Sequence, residues 1–255
     1  MNTKALVTML LLLLCTAIFA SEDAGDAAEL ERKTQELNQL AERFKAETGF
    51  EGDITYNHQY MTFSNIIGNF KDIVVTSPQD TVSMRQIFDR VVAKVTPFIS
   101  AREGQLIRGK TSSNVNGTRV RYEQIVNGYR IEGAGFLNVA YNYETKKITV
   151  TDATVSIPSE QIPINIGINQ AVQIAIQHYD PNYNYDPGNE LSNPRSKLVY
   201  FAIPDEIGSH QYRLCYMIAF WGLTVFVDPS SGEIIHTRSL IIEDYHCNVD
   251  GEVYE

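Results

Sequence analysis

Apolar residues along the chain recur first at a helical period and then at a strand period, and the sequence runs through that succession twice. In "AELERKTQELNQLAERFKAETGF", Leu30, Leu37, Leu40 and Phe44 fall at helical spacing with charges between them. This predicts an amphipathic helix lying on a sheet or pairing as a coiled coil, supported by Glu29 four residues before Lys33 and stopped by Gly49. From 52 to 73 the pattern is mixed and predicts no element. Ser77 or Asp80 can cap a second helix with Val82, Ile87, Val91 and Val95 on one side, and Pro97 ends it.

Strict alternation follows in "TRVRYEQIVNGYRIEGAGFLNVAYNYETKKITVTDATVSI", where Val120, Tyr122, Gln124 and Val126 share one face. Asn127-Gly128 is a strong hairpin signal, because both central residues of a type I′ turn need positive φ. With another turn near Glu144-Thr145-Lys146, at least three antiparallel strands result. Residues 158–167, with Pro158 and Pro163, read as a linker. Beyond it Asn169 can cap a helix carrying Ile168, Val172, Ala175, Ile176 and Tyr179, and Pro181 stops it. Strands are then predicted at 197–203, 212–220, 223–227 and 233–242, the last two joined by a turn at Asp228-Pro229-Ser230-Ser231-Gly232. Helix followed by antiparallel strands, performed twice, is an α+β arrangement with a helix on one face of each sheet.

The first twenty residues change the compartment. Lys4, the apolar run from Leu10 to Leu14 and on to Phe19, and the small residue Ala20 form a secretory signal peptide, with cleavage near Ala20. A lipoprotein reading centred on Cys15 is disfavoured by the bulky Leu14 before it. The run is too short for a comfortable membrane anchor, so no membrane association is expected after cleavage, and the product is expected to be secreted or periplasmic. Residues 21–50 comprise an acidic leader and the first helix. The net charge of −10 and the lack of a Lys/Arg stripe interleaved with aromatics predict no nucleic-acid partner.

Candidate chemistry is sparse. The sequence has no HExxH, GxSxG, Walker loop or Rossmann fingerprint, and His58, His178, His210, His236 and His246 lack metal-ligand spacing. Gly128, Gly133 and Gly135 lie within a strand pattern, where turns and bulges explain them. No enzymatic activity, cofactor or metal is expected. Cys215 and Cys247 survive cleavage and are the pair available for a bridge in an oxidising compartment. Strand direction opposes it: Cys215 should lie near Asp228, while the next strand carries the chain away. Asn116-Gly117-Thr118 is a glycosylation sequon.

Tyr122, Gln124, Asn127, Gly128 and Gly133 resemble the core pattern of the fungalysin/thermolysin propeptide (FTP) domain. Tyr212, Arg213 and Leu214 on one strand, with Val227, Asp228, Gly232 and Glu233 around the last turn, resemble a PepSY domain. The resemblance spans roughly residues 70–242 and places an FTP-like domain at 51–157, a PepSY-like domain at 168–242 and a tail at 243–255. It implies two consecutive cystatin-like units that assist the folding of a secreted zinc metallopeptidase and inhibit it until removed. The chain departs in having no zinc-binding helix and hence no peptidase, and in the tight turn at "FWGLT".

The expected function is therefore a stand-alone secreted propeptide-like protein that binds a thermolysin-like metallopeptidase as inhibitor, folding chaperone or both. The alternatives are the front part of a split or truncated precursor, or a binding module for another ligand. The oligomeric state is left open. In such propeptides the segment after the final hairpin leads toward the protease active site. Here it is "EDYHCNVDGEVYE", in which Tyr245, His246 and Cys247 are the expected partner contacts, the last two through their affinity for zinc. The alternative is a frayed terminus.

Overall fold

The computed structural model describes residues 29–57, 61–157, 162–179, 194–204, 210–220 and 222–239. The expected signal peptide with Ala20, the expected acidic leader before 29 and the expected partner contacts Tyr245, His246 and Cys247 lie outside these residues. The chain is α+β. The described residues contain three helices, besides one 3-10 turn, and eleven strands, whose hydrogen-bonded neighbours are antiparallel with the exception of one pair. Residues divide into two units: those up to 123 together with 136–155, and 124–135 together with 156 onward.

In the first unit, helix α1 (29–48) buries Leu37, Ala41, Phe44 and Thr48, at helical intervals, while Leu30, in its first turn on the same face, is 55% exposed. Gly49, at φ 67°, donates its N–H to the Lys45 carbonyl and ends the helix in the left-handed conformation that glycine tolerates. The stretch without a clear pattern is a hairpin, β1 (Phe50–Asn57) and β2 (Thr62–Phe70). Its alternation is hidden by a register shift between Thr55 and Tyr56 and by Gly52 paired with Gly68. A Cβ on Gly68 would stand 2.1 Å from the Glu51 carbonyl oxygen.

Helix α2 (Thr81–Val95) starts at Asp80, whose carboxylate accepts from the N–H groups of Val82 and Ser83. Its buried face is Met84, Ile87, Phe88, Val91 and Val95; Val82 is 60% exposed, contrary to expectation. An unanticipated strand, β3 (Leu106–Ser113), pairs with β4 (Gly117–Val126), and β6 (Phe136–Asn142) and β7 (Ile148–Asp152) complete the order β1-β2-β7-β6-β4. One core holds both helices and the sheet, with Phe44 packed against Phe50, Phe63, Phe70 and Phe98. Two helices, α1 and α2, thus share the core of this unit, where one helix on each sheet was expected; α1, expected to lie on a sheet, does so here.

The second unit takes the tip of the β4 hairpin and β5 (Tyr129–Glu132), because β5 pairs with β8 (Arg195–Pro204). That pair is parallel, so the sheet is not the purely antiparallel one expected, and the boundary does not fall cleanly at 157. Antiparallel pairing then runs through β9 (His210–Ala219), β10 (Leu223–Val227) and β11 (Ile234–Ser239). Helix α3 (Ile168–Tyr179) lays Ala171, Val172, Ala175 and Ile176 on Tyr216, Ile218, Val225 and Val227. Ala171 donates to the Gly167 carbonyl, so Asn169 sits inside the first turn instead of capping it. Ile168 and Tyr179 are exposed, and Tyr179 stacks on Phe220 with ring centroids 4.9 Å apart.

Candidate partner-binding surface

The final hairpin is held by bonds within its own turn, by Arg213 of β9 and by Asn165 and Ile166. Asp228 Oδ1 accepts from the Ser230 N–H at 2.7 Å, the Ser231 N–H at 3.2 Å and the Ser230 hydroxyl at 2.5 Å. On its other oxygen, Oδ2, Asp228 meets the Arg213 guanidinium at 3.3 Å. The Pro229 carbonyl accepts from the N–H groups of Asn165 and Ile166, and the Asn165 amide donates to the Ser230 carbonyl at 2.9 Å. Burial works against the Asp228 charge, but the bonds from Ser230 and Ser231 and the Arg213 charge outweigh it, so the carboxyl titrates below its ordinary range. Gly232 has φ 79°, and a Cβ there would stand 3.1 Å from Ile174 Cδ1 on α3. These bonds tie the turn, immediately before β11, to β9 through Arg213 and to the 165–166 segment.

β11 ends the strand order, so its outer edge has no strand partner among the described residues. Such an edge is a ready template for an added strand. On the sheet face away from α3, Phe201 and Phe226 stack at 4.0 Å, His236 lies 5.6 Å from Phe226, and the Arg238 guanidinium lies 5.6 Å from the Phe201 ring centre. Burial, and then the Arg238 charge, hold His236 below its usual titration range. Cys215 is in the same cluster, fully buried and unbridged, with its thiol directed at the Val199 carbonyl. Burial pushes the thiol up to about 12, which makes it inert as a nucleophile or ligand. Its suggested partner Cys247 lies outside the described residues.

Asn127 and Gly128 have φ 52° and 85°, as a type I′ turn requires. The Asn127 amide donates to the Tyr200 hydroxyl at 3.1 Å, and the two line a cleft of about 510 Å³ with Tyr129, Ile162, Ile164 and Leu214. That cleft has no signal in the sequence, since its walls come from segments far apart in the chain. In the first unit, Tyr122 is a core residue whose hydroxyl donates to Asp89 at 2.7 Å; burial, and then that carboxylate, raise the phenol. Asn116 lies in an exposed turn in which Asn114 Oδ1 accepts from the N–H groups of Asn116 and Gly117. Among the described residues, no group of three or more His, Cys, Asp or Glu is placed to hold a metal ion, and no helix is long and apolar enough to cross a membrane.

No protein-family model matches the chain, and no curated protein does. Among solved structures it is similar to the Bacillus megaterium YpeB C-terminal domain, with a TM-score of 0.34 and 11% identity over 80% of this chain and 95% of that one. A likeness that distant carries no argument about fold or function.

Proposed function

We propose that the chain is a secreted, propeptide-like binding protein whose partner is a thermolysin-like zinc metallopeptidase, which it inhibits, helps to fold, or both. The observation that carries this reading is the anchored final hairpin. Arg213 and Asp228, two residues of the PepSY-like motif, clamp the turn at 3.3 Å and so direct β11 and whatever chain follows it. The edge of β11 supplies main-chain groups for pairing, and Tyr245, His246 and Cys247 are the side chains that would follow into the partner's cleft. The protein itself has no catalytic role in this reading.

The test is co-elution. Mixed with a thermolysin-like peptidase, the mature chain is expected to move the enzyme to a larger size in gel filtration. Deleting residues 243–255 is expected to weaken the complex, and Cys247→Ser alone is expected to weaken it less. An enzyme that elutes unchanged in the presence of excess mature chain overturns the proposal.

A further inference from the structure

The sheet face of the first unit that points away from α1 and α2 has a cationic cleft that the hairpin-based reading does not use. Alternation along β4 buries Val120 and Tyr122 in the core and leaves Arg119 and Arg121 exposed on the opposite face. Lys110 and Ser112 of β3 and Asn138 and Ala140 of β6 complete a cleft of about 470 Å³, and no acidic side chain lines it. Arg119 pairs across the sheet with Ala140, whose small side chain leaves the space open, and Arg121 pairs with Asn138.

Both guanidiniums are oriented in advance. Arg121 sits over Phe136, its Cζ 4.0 Å from the ring centre, a cation–π contact that uses none of its N–H donors in an ion pair. Arg119 Nε donates to the Ser112 hydroxyl at 3.4 Å. Neither arginine, nor Lys110, forms an ion pair with any described acid. Three cations without an ion-pair partner, clustered on one face, are unexpected in a chain of net charge −10. Their mutual repulsion is a cost that a bound anion removes.

We infer that this face binds an extended acidic segment of a partner protein, with carboxylates at alternate positions. Two residues of a strand span about 6.6–6.8 Å, so Arg119 and Arg121 are spaced like the side chains at i and i+2 of an extended peptide. Each can take one carboxylate in a bidentate fork. That spacing suits two separate carboxylates better than one tetrahedral oxyanion. Asn138, opposite Arg121 on β6, adds an amide to the lining that can bond peptide groups. The inference adds partner chemistry to the binding-protein reading, and its assay contains no peptidase, so either can fail without the other.

The experiment titrates the mature chain against a fluorescent Glu-Ser repeat peptide and against a peptide of equal composition with the glutamates in one block. The alternating peptide is expected to bind several-fold more tightly, with affinity that falls as salt rises. The double substitution Arg119→Gln and Arg121→Gln is expected to weaken it at least tenfold with Tm unchanged. Lys110→Gln alone is expected to cost a few-fold, and Lys146→Gln, on the exposed turn between β6 and β7, should cost nothing. Three results overturn the inference: unchanged binding by the double variant, equal affinity for the two peptides, or displacement of the peptide by equimolar inorganic phosphate.

Discussion

The Arg213 guanidinium and the Asp228 carboxylate meet at 3.3 Å, joining the middle of β9 to the turn between β10 and β11. Asp228 is only 9% exposed, and its folded-state carboxyl titrates below the unfolded value. A lowered folded value contributes stability that is present above the unfolded value near 3.8 and is lost as pH falls through the folded one. Asp228→Ala is therefore expected to cost about 1–3 kcal/mol at pH 7, and the gap from the parent should shrink as the medium is acidified. Urea denaturation at several pH values measures both.

Two glycines separate backbone strain from steric conflict. Gly232 and Gly128 both have positive φ, but a Cβ at Gly232 meets Ile174 whereas one at Gly128 meets nothing within 4 Å. Gly128→Ala should cost about 1 kcal/mol, from strain alone. Gly232→Val should cost more, about 1–3 kcal/mol, with loss of α3 packing. Thermal melts of the two variants rank them.

Asp152 behaves in the opposite sense to Asp228. Burial raises its carboxyl to about 6, although the Thr154 N–H and hydroxyl work to lower it. A raised folded value favours folding fully below the unfolded 3.8, and that advantage is lost as pH climbs through about 6. Asp152→Asn is expected to stabilise the protein by about 1–3 kcal/mol at pH 8, since one pKa unit is about 1.4 kcal/mol, and to have little effect near pH 4. Unfolding curves at the two pH values give the comparison.

Cys215 should resist modification in the native state, being fully buried with its thiol pushed up to about 12. Treatment with iodoacetamide at pH 8, followed by peptide mass spectrometry, is expected to leave it unlabelled until the protein is unfolded. The unreduced mass also reports on Cys247: a bridge would lower it by about two hydrogens, and the free Cys215 thiol predicts that no such loss is seen between these two residues.

Where local chemistry dictates the backbone, the sequence was a good guide. Asn127-Gly128 marks a turn because few other pairs accept positive φ twice, and of the two caps the sequence offered, Ser77 and Asp80, it is Asp80 whose side chain satisfies two free N–H groups. The β1–β2 hairpin was illegible because Gly52 and Gly68 contribute no side chain to the pattern and a register shift breaks the alternation. The four-residue β5 was legible only as part of a hairpin; its parallel pairing with β8 depends on a partner distant in the chain. Arg119 and Arg121 were visible as alternating charges, but that neither forms an ion pair with a described acid is a property of the folded face.

The proposed binding of a metallopeptidase is tested most directly by a progress-curve titration of a thermolysin-like enzyme with the purified mature protein. Hydrolysis is expected to slow in proportion to added protein and to approach zero near a one-to-one ratio, with recovery once the enzyme degrades the bound chain. Hydrolysis that continues at the uninhibited rate in the presence of a large excess of intact protein would contradict the inhibitory account.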